Sequence, residues 1–270
     1  MAVNREEDRR TRRTEVLKAM ATEANGGTGL PTSIEAAWGL KERPAKGPRP
    51  GLTLPRIVDA AVKLAAADGL GAVSMSRVAA ELGVSTMSLY RYVSAKDELL
   101  LLMEDAAYGP PPSGPGADEH WRTGMSGWAW ALRGALIRNP WAVRIPISTP
   151  PCTPNSVAWM EHGLACLRDT GLGEGAKISI LMLVSGFVRN EVRLAADLQD
   201  AARRSGNSPE QSMSAWARLL EKLTDAERYP AVTAALRAGE LYTPGGPDDE
   251  FIFGLDRILD GVEALVTPRG

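Results

Sequence analysis

Within AAELGVSTMSLYRYV, residues 79–93, three positions narrow what the chain can build. Ala79 is small enough for two helices to cross at it. Gly83, four residues later, accepts the positive φ of a tight reversal, and Val84 supplies an apolar plug behind the turn. Ser74 and Ser85 stand where the N-caps of two flanking helices belong. Val78, Ala79 and Leu82 share one face of the first helix, and Leu89 and Val93, four apart, share one face of the second. The spacing predicts a helix-turn-helix.

That leaves Thr86, Met87, Ser88, Tyr90, Arg91 and Tyr92 to project outward. Hydroxyls donate to phosphates, a guanidinium grips a guanine edge with two bonds, and a tyrosine ring packs on sugar or on a thymine methyl. These residue types suit contact with DNA better than burial. Local charge agrees: residues 41–96 hold nine basic and four acidic side chains, net +5, against sixteen and nineteen, net −3, over 106–270. A basic segment joined to an acidic remainder fits a polyanion-binding module fused to something else.

The surrounding punctuation predicts an all-α chain. Residues 5–24 are compatible with a charged helix, and KERPAKGPRPG (41–51) is a basic Pro/Gly-rich linker. Residues 1–50 are either a solvated extension or an arm that lays Arg43, Lys46 and Arg49 along DNA. Thr53 and Pro55 open a helix that Gly69 stops, and Ser94 with Asp97 has the form of a capping box for the helix KDELLLLMEDAAY. GPPPSGPG (109–116) separates a first domain, 51–108, from a second, 117–270. In the second, helical spacing recurs from Trp121 to Asn139-Pro140 and over about 155–170, 174–204, 208–224, 230–238 and 249–266. No alternation lasts long enough for a strand.

From IVDAAVKLAAADGLGAVSMSRVAAELGVSTMSLYRYVSAKDELL, about Thr53 to Met103, the chain resembles the tetracycline-repressor-like (TetR) transcriptional regulators. The helix lengths, the turn, SLYRYV and KDEL all occur in register. The resemblance implies that Ser74, Ser76 and Arg77 approach the groove or backbone. It further implies that Thr86, Met87, Ser88 and Arg91 face bases while Tyr90, Tyr92 and Lys96 hold phosphates. The alternative for Tyr90 or Tyr92 is packing at the junction with the next helix. Many relatives carry Lys or Arg directly after the turn, where this chain has Thr86-Met87, so the bases read are left open.

Beyond residue 117 the resemblance continues less specifically, in RNPWAVRIPISTPP and LMLVSGFVRNEVRLAAD, to the effector-binding, dimer-forming domain of the tetracycline-repressor branch. It implies a double-stranded operator, a small-molecule effector and a homodimer. The helices near 174–204 and 249–266 have the apolar breadth for a four-helix interface, or for internal core. Trp128, Trp141, Arg144, Trp159, Met160, Met182 and Asn190 form either a pocket for a drug-sized amphipathic ligand or plain core. The chain has only His120 and His162, neither in the proline-rich stretch, so a magnesium-chelated tetracycline is not expected.

Other classes fit less well. Two histidines, with no nucleophile elbow and no paired-carboxylate site, leave little for an enzyme to work with. His162 and Cys166 have i, i+4 metal-ligand spacing but lack further ligands, so neither metal nor cofactor is expected. A DNA-binding architectural protein without an effector would not require so large a second domain. Two cysteines give no disulfide framework, and the absence of a long apolar run argues against a membrane span, so a reducing cytoplasm is expected.

Overall fold

The computed structural model describes residues 29–40, 51–116, 119–239, 246 and 248–266, and every regular element among them is helical. A short α1, Thr32–Ala37, precedes α2, Leu54–Asp68, whose N-cap Thr53 accepts from the Arg56 amide. Then come α3, Met75–Glu81, α4, Thr86–Tyr90, and α5, Lys96–Tyr108. The second domain contains α6, Trp121–Arg138, α7, Pro154–Cys166, and the long α8, Glu174–Ser205. It closes with α9, Pro209–Leu223, α10, Pro230–Ala238, and α11, Asp249–Val266.

Two details differ from expectation. The N-cap of α5 is Ala95, without a side-chain cap, in place of a Ser94–Asp97 box. Glu98 instead reaches back to accept from the Ser94 amide at 3.0 Å and from the Ser33 hydroxyl at 2.7 Å. The second difference is α1 itself, six residues that no helical period announces. It survives through its ending: Leu40 N–H donates to Glu35 O and Gly39 N–H to Ala36 O, with Gly39 at φ +68. That is a Schellman closure. Burial of Ile34 then supplies what so short a helix lacks alone.

One apolar cluster runs from Ile34 and Ile57 through Leu99 and Met103 to Trp128, Val184 and Phe251. In the second domain α8 packs against α6 and α11. Arg133 of α6, almost fully buried, ion-pairs with Glu191 at 3.0 Å and Asp248 at 2.8 Å. Its guanidinium lies 4.7 Å from the Phe251 ring centroid and 5.4 Å from that of Trp130. The charge is therefore paired as well as buried, which is what makes its burial tolerable. Phe251 also stacks on Phe187 at 5.6 Å, and Phe187 in turn fills the space over Gly254.

A Cβ at residue 254 would stand 2.5 Å from the Phe187 ring. Gly254→Ala is expected to force the α8–α11 crossing apart and to remove about 1–3 kcal/mol of stability. Thermal melting followed by circular dichroism should fall by roughly 3–10 °C. An unchanged melting temperature would mean that the ring swings aside freely.

Candidate nucleic-acid interface and its link to the C-terminal helices

The turn between α3 and α4 is built as its residues require. Gly83, at φ +66, donates to Ala80 O and Val84 donates to Ala79 O, so α3 ends in the same Schellman closure as α1. Ser85 then caps α4, its hydroxyl accepting from the Ser88 amide at 3.3 Å. Leu89 and Val93 are fully buried and anchor α4, whose helical bonding stops at Tyr90.

Around those anchors the expected contact residues divide by exposure. Met87 is 73% exposed, and Tyr90, Arg91, Ser76, Arg77 and Lys96 are also exposed. Among the described residues Arg91 and Lys96 form no ion pair or hydrogen bond, so both charges are available to an incoming partner. Ser74 caps α3 by accepting from the Arg77 amide, and Arg77 ion-pairs with Asp68 at 2.5 Å across exposed surface. Thr86 and Ser88 are half-buried, with the Ser88 hydroxyl 3.0 Å from that of Ser85. Tyr92 is half-buried too, and its hydroxyl donates to Leu52 O at 3.0 Å. That proton already has a partner, so Tyr92 is placed to brace α4 against the start of α2. Arg43, Lys46 and Arg49 lie outside the described residues.

Helix α5 carries this surface into the second domain, and its C-terminal end is unusually well held. The last carbonyls of a helix have no partner within it. Here Asn139 donates to Ala107 O at 3.2 Å and the Trp159 indole to Gly109 O at 2.9 Å, while Asp105 O, which already accepts from the Gly109 amide, takes a second bond from Asn155 at 3.0 Å. The Asp105 carboxylate answers by accepting from the Asn155 and Ser156 amides at the start of α7. From α8, Arg189 ion-pairs with Glu104 at 2.6 Å and donates to the Tyr108 hydroxyl, Ala142 O and Ile145 O. Burial, with Glu104 alongside, pushes the Tyr108 phenol well above its usual range, so it stays protonated. Glu104, Asp105, Asn155 and Arg189 carry no signal in the sequence, because partners as far as 85 residues apart leave no local pattern.

The seven candidate pocket residues are not brought together. Trp128, Trp141 and Trp159 are buried, and the Trp128 indole donates to Trp159 O at 3.0 Å. Met160 is marginally exposed, Met182 is 69% exposed, and Asn190 also faces outward from α8. Arg144 ion-pairs with Asp197 and Asp200 near the far end of α8. The reason is that α8 is apolar on two faces, and spacing alone does not say which one turns inward. Four other polar atoms among the described residues of this domain are buried without a hydrogen-bond partner: Trp121 Nε1, Trp141 Nε1, His162 Nδ1 and Thr233 Oγ1. Cys166 Sγ donates to His162 O at 3.3 Å, an ordinary bond within a helix, and no group of three metal-ligating side chains occurs among the described residues. No helix among them is long and apolar enough to cross a membrane.

Residues 57–103 match the family described as bacterial regulatory proteins, tetR family, and residues 114–266 match the tetracyclin repressor-like C-terminal domain. Neither match reaches α1. The chain is 40% identical over 255 residues to the HTH-type transcriptional repressor DrrR1 of Streptomyces coeruleorubidus, covering 93% of this chain and 92% of that one. It is 30% identical over 213 residues to the class A tetracycline repressor protein from transposon 1721 of Escherichia coli, covering 77% and 88%. Among solved structures it resembles ActR of Streptomyces coelicolor in complex with actinorhodin, with a TM-score of 0.67, 28% identity, and coverage of 80% and 99%.

Burial holds the His162 imidazole below its ordinary range, against the opposing pull of Glu119 and the Pro112 carbonyl. As pH falls the unfolded chain therefore takes up this proton before the folded one does. The stabilisation is complete above the unfolded value near 6.5 and is lost as pH falls from there through the lower folded value. The urea midpoint should drop more steeply between pH 7 and pH 5 for the wild type than for His162→Asn; coincident profiles would contradict this.

Proposed function

The chain belongs to the tetR family of bacterial regulatory proteins, and on that premise we propose a homodimeric transcriptional repressor that a small amphipathic molecule releases from a near-palindromic operator. The observation that carries the DNA-binding half is the surface of α4. Its anchors are wholly buried, its outward residues other than Met87 are polar or basic, and Arg91 and Lys96 have no partner within the described protein. In this reading α4 enters the major groove. Thr86, Met87, Ser88 and Arg91 face bases, while Ser74, Ser76, Arg77, Tyr90 and Lys96 secure the backbone and Tyr92 braces the helix from within. The protein acts in the cytoplasm, where its operator lies.

Support for a dimer comes from apolar side chains left outside. On α8, Ile178, Met182 and Leu183 are exposed, and on α11, Ile252, Phe253 and Leu265 are. A Cβ built at Gly186 or at Gly261 meets no atom within 4 Å, so both helices offer room for a second copy to approach closely. Two such helices per protomer make a four-helix, self-complementary interface.

For the effector, support comes from the buried indole N–H groups of Trp121 and Trp141 and from His162 Nδ1. The unpartnered indole donors favour a molecule bearing acceptor oxygens. ActR, solved with actinorhodin, shows that a relative of this fold takes up a small molecule. Release requires that the effector bind the two states unequally. Helix α5 is the natural transmitter, because Arg189 of α8 and Asn155 of α7 both hold its C-terminal end.

Two measurements test this reading. Selection of bound fragments from random DNA at near-physiological salt should enrich a palindrome. Arg91→Ala should weaken binding and relax base preference at the position it contacts, by about 1–3 kcal/mol per contact, and Ser88→Ala should weaken binding less. Equal affinity and equal preference in the Arg91 variant would remove it from the interface. Sedimentation of the wild type should give twice the 28.9 kDa chain mass. Met182→Glu with Phe253→Glu should give a folded monomer; a persistent dimer would place the interface elsewhere.

A further inference from the structure

We propose that residues 29–40 are an interdomain splint in which Trp38 is a positioning residue for DNA recognition. It sets how far the two recognition helices of a dimer stand apart. The inference rests on the repressor reading for its consequence, but not for its geometry.

Helix α1 is held at both ends by different domains. At its start Ser33, 1% exposed, donates to Glu98 Oε2, in the first turn of α5. Ile34, also 1% exposed, joins the apolar core, with Leu30 and Ala37 packed against it. Just past its last residue the Trp38 indole donates to Cys152 O at 2.8 Å. Cys152 immediately precedes Thr153, the N-cap of α7, and the start of α7 is tied to Asp105 in the last turn of α5. The segment thus runs alongside α5, gripping that helix near its beginning and the second domain near its end.

The mechanical effect follows from having two attachments. A head joined to the body through α5 alone can swing about the end of that helix. A second attachment displaced to one side opposes the swing. Gly39 and Leu40 stiffen the splint by closing α1 in a fixed geometry, which aims the indole. In a dimer on DNA, half-sites lie about one helical turn apart, and one base pair moves them by about 3.4 Å. Heads that cannot swing discriminate against such a shift, whereas loosened heads accommodate it.

Trp38→Phe keeps an aromatic ring and removes only the donor. In the full-length protein it should accelerate amide exchange in residues 30–40 and 147–153 while leaving α8 unchanged. On the palindrome selected for the wild type, the preference for native spacing over variants one base pair longer or shorter should fall about threefold, the size expected for one exposed hydrogen bond. Leu236→Ala serves as the control: it truncates a buried side chain of α10, outside the splint, α5 and the two dimer helices, so it lowers stability and should leave spacing preference intact. Unchanged exchange in both segments overturns the splint, whatever happens with DNA. Faster exchange with unchanged spacing preference overturns the positioning role. Failure of the wild type to select any DNA overturns the repressor reading instead, and exchange alone then decides whether the splint exists.

Discussion

The architecture depends on how one helix end meets its hydrogen-bonding requirement. The final carbonyls of α5 would be unpaired in an isolated DNA-binding domain, and buried carbonyls without partners are costly. Side chains of Asn139 and Trp159 supply the missing donors to Ala107 O and Gly109 O, Asn155 adds a second bond to Asp105 O, and each comes from α6, α7 or their junction. The domains are therefore joined at the very groups that neither could leave unsatisfied. Arg189 adds α8 to the joint by spreading its guanidinium over Glu104, Tyr108 and two further carbonyls. Any rearrangement among α6, α7 and α8 is felt at the helix that carries the reading surface.

Much of this was legible in the chain because the decisive signals are local. Ala79, Gly83 and Val84 specify a turn through size and φ, and Ser74 and Ser85 mark the starts of α3 and α4 as caps do. The long helices of the second domain follow from periodicity between Pro and Gly breaks, and all lie within a few residues of the expected positions. What stayed illegible is the work of contacts between distant segments. Glu104 and Arg189 look like ordinary surface charges until α5 and α8 cross. Helix α1 has too few residues to show a period and is stabilised by Ile34 entering a core built elsewhere.

The candidate pocket shows the same limit from the other side. Composition identified aromatic and Met-rich stretches, and the tryptophans are indeed interior, but Met182 and Asn190 lie on the opposite face of α8. A helix that meets its own domain on one side and leaves apolar side chains exposed on the other carries both sets in one sequence. Only the three-dimensional packing separates them. The unpartnered indole and imidazole nitrogens are equally invisible in sequence, since being unsatisfied is a property of surroundings and not of residue type.

The division of labour within α4 has an evolutionary consequence. Leu89 and Val93 hold the helix, while Met87, Tyr90 and Arg91 stay outside the core. Substitutions on the outer face therefore alter what is recognised while barely touching the folding free energy, since surface changes are usually worth only a few tenths of a kcal/mol. Such a helix is free to drift toward new operators after gene duplication without first acquiring compensating mutations in its interior. The buried pair confines that drift to chemistry and leaves the placement of the helix unchanged.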